Sequence, residues 1–277
     1  MSPLRRRLAT IVVVPVVVLS SCTGEGSGDA YPVRSEVISD ETTQDVLVLG
    51  PDAEGTWPVA MVYHGIDGRA EQMAVLGEEL APAGVVVFAP NYRTDLSSQQ
   101  GIVDAVNDGE CGYRFARSVA PDHGGDLDQP MTWIGWSLGA LYAVQIGLDE
   151  PLDPDGEFVT CFAEPRRPDL IVAISGCYYE FEGRPFDLMD ESAWANRDAR
   201  IILVAGEDDT NCPAAQSEQL AGELRARGYD VTYELLEGAD HFAPVFHRDA
   251  DGAMVVDPDS SAGREVVDLV TDAMAGG

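Results

Sequence analysis

From Val59 onward the chain alternates short β-branched apolar runs with longer segments of helical period. That alternation restricts it to a mostly parallel sheet with helices on both faces. The runs are Val59-Ala60-Met61-Val62-Tyr63, Val85-Val86-Val87-Phe88-Ala89, Met131-Thr132-Trp133-Ile134, Leu170-Ile171-Val172-Ala173-Ile174, Ile201-Ile202-Leu203-Val204-Ala205 and Val231-Thr232-Tyr233-Glu234-Leu235-Leu236. Most are nearly continuous in apolar character, as strands covered on both sides must be. Helical period is expected at about residues 70–82, 101–119, 138–148, 214–227 and 263–274. In the last of these, Val266, Val267, Leu269 and Val270 fall on or near one stripe. An antiparallel hairpin from Val33 to Leu49 opens the sheet and brings it to about eight strands. The expected organisation is a single domain over residues 33–277, with residues 1–32 outside it.

Sheets of this kind carry their sites at the carboxyl ends of strands, so the residues just after each run are where chemistry is sought. Gly135-Trp136-Ser137-Leu138-Gly139 matches G-x-S-x-G where a buried strand ends and an Ala/Leu/Ile helix begins. A sharp turn there lifts a serine hydroxyl clear of the sheet, and its glycines permit close backbone approach. Serine is a poor nucleophile without a base, and the base needs an acid to orient it. Asp209 lies in Gly206-Glu207-Asp208-Asp209-Thr210-Asn211-Cys212-Pro213, with Asp208 as the alternative acid. His241 lies in Gly238-Ala239-Asp240-His241-Phe242. Of the other three histidines, His247 lacks a strand-end position and His123 sits in a Gly/Asp-rich loop where a solvated role is expected.

In these three motifs and their order, Ser then Asp then His, the chain resembles the α/β-hydrolase superfamily from about Val33 to Ala275. The resemblance implies an α/β-hydrolase fold in which Ser137 is the nucleophile, Asp209 the acid and His241 the general base. Tyr63-His64-Gly65-Ile66-Asp67-Gly68 resembles the superfamily's oxyanion loop. The backbone N–H groups of Leu138 and Ile66 are then the expected oxyanion donors, with Gly65 as the alternative to Ile66, and His64 braces that loop. Within the superfamily the chain is most similar to dienelactone-hydrolase-like enzymes and carboxylesterases. It departs from dienelactone hydrolases proper in carrying serine where they use cysteine, which leaves general carboxylic-ester hydrolysis as the implied activity. A lipid-anchored binding protein of the same fold and a lipase or polyester hydrolase are the competing readings. The superfamily's peptidases usually carry a propeller or a larger cap, and neither is expected here.

The amino-terminal residues follow a different logic. Arg5, Arg6 and Arg7 precede an apolar run from Leu8 to Leu19, the order of an export signal and too short to span a bilayer comfortably. Leu19-Ser20-Ser21-Cys22 resembles the bacterial lipobox, which implies cleavage after residue 21 and acylation of Cys22. Residues 22–32 then form a flexible tether, because Thr23 to Asp29 has no large apolar side chain to join a core. The expected setting is extracytoplasmic, with the domain held to the membrane through Cys22.

Net charge is −31 from 17 Arg and 48 acids; without residues 1–21 it becomes 14 − 48 = −34. Such a surface excludes nucleic acid and anionic headgroups as partners. A small-molecule ester is the expected one, and the sequence does not speak to oligomeric state. No P-loop, G-x-G-x-x-G or H-E-x-x-H occurs, so neither cofactor nor metal is implied.

Cys111, Cys161, Cys177 and Cys212 remain after Cys22, an even number that favours two disulfides outside the cytoplasm, with three pairings open. Cys177 and Cys212 each follow a strand end beside the expected site. A bridge between them would pin the acid loop to the segment after Gly176 and leave Cys111 with Cys161. Tyr92, Trp136, Tyr178, Tyr179 and Trp194 serve equally well as an aromatic wall or as core. The stretch from Gly176 to Ala199 is the expected determinant of substrate choice.

Overall fold

The structure is a computed structural model that describes residues 33–39, 45–149, 167–181, 184–185, 192, 194–248, 254–255 and 260–276. Cys22, with the export signal and tether, and Cys161 lie outside the described residues, as does most of the stretch from 182 to 193.

Eight strands form one sheet: β1 (Val33–Ser39), β2 (Asp45–Pro51), β3 (Val59–Tyr63), β4 (Val86–Pro90), β5 (Met131–Trp136), β6 (Leu170–Ile174), β7 (Arg200–Gly206) and β8 (Asp230–Leu236). Their order across the sheet is β1-β2-β4-β3-β5-β6-β7-β8. β1 pairs antiparallel with β2, and β2 antiparallel with β4. From β4 to β8 every pairing is parallel. Parallel connections must cross a face, and four helices do so: α1 (Ala70–Leu80), α2 (Gln99–Val119), α3 (Leu138–Leu148) and α4 (Ala214–Ala226); α5 (Ser261–Ala275) follows the last strand.

The core divides on either side of the sheet. On one face Met73, Leu76 and Leu80 of α1 pack with Val266, Val267 and Val270 of α5 over Val62, Val87 and Ile134. On the other, α2, α3 and α4 cover Met61, Phe88, Trp133 and Leu203. α3 is buried along its whole length, which accounts for its lack of a polar stripe. α2 starts two residues before the expected position because Ser98 caps it, its hydroxyl accepting from the Gly101 N–H at 3.0 Å.

One expectation needs correcting. His123 is not a solvated loop residue; it closes a short 3₁₀ turn (Ala120–His123) and sets its ring edge-on against Phe88 at 5.9 Å. The turn was hidden in the sequence because its stop signal is Gly124, one of two adjacent glycines in an apparently plain loop, in the left-handed region at φ 81°. His247 lies in a two-residue strand paired with Met254–Val255, outside the main sheet.

Candidate active site

Because β5, β6, β7 and β8 are parallel neighbours, their carboxyl ends lie along one edge. Trp136 is in register with Ile174, Ile174 with Val204, and Gly206 with Leu236. The residues that follow β5, β7 and β8 are thereby delivered to one place: Ser137, Asp209 and His241.

Ser137 sits at the turn between β5 and α3 with φ 57° and ψ −118°, a conformation that costs a non-glycine residue roughly 1–3 kcal/mol. Its N–H donates to the Ile174 carbonyl at 2.9 Å, which helps to hold the turn. The flanking glycines are required by proximity. A Cβ at Gly135 would lie 2.0 Å from the Gly139 carbonyl oxygen, and one at Gly139 would lie 2.3 Å from that of Tyr63.

The His241 ring bridges the other two side chains. Its Nδ1 lies 2.8 Å from Asp209 Oδ2, and its Nε2 lies 3.0 Å from Ser137 Oγ. With Nδ1–H donating to the carboxylate, Nε2 is left to accept the serine proton. All three residues are buried, with relative exposures of 4, 5 and 5% for Ser137, Asp209 and His241. Asp209 is fixed further by the N–H groups of Asn211 and Cys212, which donate to Oδ1 at 2.9 and 2.8 Å. Asp208, the alternative acid, is exposed.

Two supports surround this constellation, and only the second was foreshadowed in the sequence. The Trp136 indole N–H donates to the His241 carbonyl at 2.9 Å, and the indole packs between His241 and Phe246. Cys177 and Cys212 form a disulfide with their Cα atoms 4.7 Å apart, one of the bridges the sequence allowed. Cys212 thus holds Asp209 through its backbone while its sulfur ties the acid loop to the end of β6. Gln216 adds to that tie, its side-chain oxygen accepting from the N–H groups of Tyr178, Tyr179 and Glu180. Cys111 is fully buried on α2.

The loop after β3 approaches from the other side. Gly65 lies so near the turn that a Cβ there would be 2.7 Å from the Trp136 ring and 3.1 Å from the Ser137 Cβ. His64 is buried and shaped to brace: its Nδ1 lies 2.8 Å from the Gly65 carbonyl oxygen, and its Nε2 accepts from the Tyr92 N–H at 3.4 Å. Its ring stacks on Tyr92 at 4.2 Å, and the Tyr92 hydroxyl donates to the His64 carbonyl. Burial pushes the His64 pKa down to about 4, so the ring is neutral around pH 7. Neither Leu138 nor Ile66 spends its backbone N–H on an acceptor within the described residues.

Of the five aromatics with an undecided role, Tyr92, Trp136, Tyr178 and Trp194 are core residues; only Tyr179 is partly exposed. Among the described residues no group of three His, Cys, Asp or Glu is placed to hold a metal ion, and no helix is long and apolar enough to cross a membrane.

The strand order, the helix placement and the serine turn define the α/β-hydrolase fold. Solved structures bear this out. A truncated carbohydrate esterase from gut microbiota superposes with a TM-score of 0.65 at 17% identity, covering 90% of this chain and 98% of that one. Esterase 2 of Thermogutta terrifontis with butyrate bound gives 0.64 at 17%, covering 87% and 94%. An acetyl ester-xyloside bifunctional hydrolase from Caldicellulosiruptor lactoaceticus gives 0.60 at 16%, covering 84% and 87%. In sequence, residues 182–252 match the prolyl oligopeptidase family, a stretch that holds Asp209 and His241 but not Ser137. No curated protein matches the sequence detectably.

Proposed function

We propose that the protein is a serine hydrolase of carboxylic esters. The observation that carries this is the His241 ring, within hydrogen-bond reach of both Ser137 Oγ and Asp209 Oδ2. In the reaction, His241 takes the Ser137 proton through Nε2 as Oγ attacks the ester carbonyl carbon. Asp209 steadies the imidazolium that results. Leu138 and Ile66 direct their uncommitted N–H groups at the oxyanion. The tetrahedral adduct collapses with expulsion of the alcohol, which leaves with the proton from His241. Water, deprotonated by the same nitrogen, then releases the acid and restores Ser137.

The resemblance of the histidine loop to dienelactone-hydrolase-like enzymes supports placing the protein in that branch, with a serine chemistry of its own. The esterase titles of the structural neighbours support ester substrates; one of them records esterase 2 of Thermogutta terrifontis phosphonylated by cyclosarin. The Cys177–Cys212 bridge accords with an extracytoplasmic setting, reached through the export signal and the Cys22 anchor. The match to the prolyl oligopeptidase family favours a second reading, amide hydrolysis, at the same three residues.

The experiment is labelling of the purified domain with a fluorophosphonate, located by mass spectrometry, beside turnover of p-nitrophenyl esters and peptide p-nitroanilides. Label on Ser137 with ester turnover is expected. Label with p-nitroanilide turnover alone would move the assignment to a peptidase, and absence of label and of turnover would leave a binding protein.

A further inference from the structure

An open cavity of about 640 Å³ lies beside the oxyanion loop, between Ile66 and Asp67 on one side and the connection from β4 to α2 on the other. Its lining includes Arg93, Thr94, Asp95 and Ser97 from that connection, and Asp104 from the second turn of α2. Ile66 is shared with the site: the residue whose N–H faces the reacting oxygen in the proposed mechanism also forms the cavity wall.

The chemistry of the lining is one-sided. Arg93 is its single cation, and it is already engaged. Nε and Nη2 donate to the two oxygens of Asp108, and Nη1 donates to Asp104 Oδ2, each at 2.7 Å. Three of the five guanidinium N–H donors are therefore spent on carboxylates. Asp95 accepts from the Ser97 N–H through one oxygen and Asp104 from Gln100 through one, while Thr94 Oγ1 accepts from the Asp67 N–H. What remains is chiefly acceptor capacity on Asp67 and Asp95, together with the Thr94 hydroxyl, since the Ser97 hydroxyl is itself bonded to Asp95. Asp67, Asp95 and Asp104 line the cavity beside one guanidinium, which Asp104 and Asp108 already bind. A ligand that suits such a wall donates hydrogen bonds and brings no negative charge.

We propose that this groove seats the alcohol half of the ester and selects an uncharged, hydroxyl-rich alcohol, a polyol or sugar, over an anionic one. The proposal rests on the reading of Ser137 as the acylated nucleophile. A carboxylate on the leaving group meets Asp67 and Asp95 across mostly aqueous space, where each repulsion changes binding a few-fold, and about tenfold together at low ionic strength.

The test compares kcat/KM for three acetates: a monoacetylated methyl glucoside, the matching methyl glucuronoside, and cyclohexylmethyl acetate. Each is measured at low and high salt, on the native domain and on an Asp67→Asn/Asp95→Asn double variant. Asparagine keeps the size of both side chains and tolerates the φ of 54° at Asp67. The native protein is expected to favour the glucoside over the cyclohexylmethyl ester through KM, and over the glucuronoside by about tenfold at low salt. The second gap should narrow with salt and shrink to about threefold in the double variant. Removing two charges barely alters a net charge of −31, so a narrowing in the variant places the discrimination in the groove. Equal rates on glucoside and glucuronoside, a gap unchanged in the variant, or a preference for the cyclohexylmethyl ester would each overturn the proposal while leaving the site reading intact. Absence of fluorophosphonate label on Ser137 would instead overturn the reading of the site, and the proposal with it.

Discussion

The Trp136 indole N–H donates to the His241 carbonyl at 2.9 Å, so the residue before the serine turn holds the backbone of the proposed base 105 positions further along the chain. Phenylalanine at 136 would keep an aromatic ring, though a smaller one, and lose the donor, leaving a buried carbonyl without its partner. Trp136→Phe is expected to cost about 1 kcal/mol of stability and to lower kcat more than it alters KM. Chemical denaturation and steady-state kinetics on one preparation check both parts.

Ser137 occupies a backbone conformation that glycine adopts freely. Replacing it with glycine should relieve the strain at the turn, offset in part by the added freedom of glycine in the unfolded chain. We expect Ser137→Gly to raise stability by about 1 kcal/mol while abolishing fluorophosphonate labelling. A destabilised variant would show that the serine side chain contributes more to folding than the turn costs.

Closing the 35-residue separation between Cys177 and Cys212 restricts the unfolded chain. In the chain-entropy account a loop of this size contributes about 3–4 kcal/mol. Because the Cys212 N–H also holds Asp209, the Cys177→Ser/Cys212→Ser double variant is expected to lose kcat as well as thermal stability. Turnover assayed well below its melting temperature separates the two effects; full kcat there would show that Asp209 does not depend on the bridge.

His64 supplies a pH dependence of stability with a definite sign. Its pKa falls from 6.5 to about 4 on folding, so the unfolded chain takes up a proton that the folded chain refuses. The stabilisation is complete above about pH 6.5 and is lost as the pH falls toward 4, a span worth about 3 kcal/mol. Urea denaturation at pH 7.5 and pH 5 should show this loss in the native protein, and His64→Gln, less stable at neutral pH, should show a smaller difference between the two. A loss of the same size in the variant would assign the dependence to carboxylates.

A Cβ at Gly65 would meet the Trp136 ring at 2.7 Å and crowd Ser137. Gly65→Ala should therefore displace the loop bearing Ile66, reducing turnover at least tenfold as one oxyanion donor is lost, with a smaller effect on stability. The ratio of the change in kcat to the shift in melting temperature is the measurement.

Strands and helices were legible because a sheet covered on both faces demands continuous apolar runs, and the runs here break at glycine, proline or polar residues. Ser137, Asp209 and His241 were legible for a related reason: each follows a strand end and stands in a short glycine-marked motif. The supports around them were not. Trp136 reads as a generic variable position, and nothing local indicates that its indole reaches a carbonyl on another loop. Gln216 looks like an ordinary helix residue, yet it satisfies three consecutive N–H groups of the segment after β6. Contacts made between distant loops leave no periodicity in the chain, whereas elements that pack repetitively do. The Cys177–Cys212 pairing was suggested by the two strand ends flanking the expected site, and the structure forms that bridge.

His241 meets Ser137 across a separation of 104 residues and Asp209 across 32, and the strands carrying them are contiguous in the sheet only once β6 lies between β5 and β7. No intermediate lacking one of those parallel pairings brings the three side chains together. On the proposed function, turnover is then a tally of fully native molecules. During refolding it should return after compactness and helix content do, on the slower clock of long-range parallel pairing.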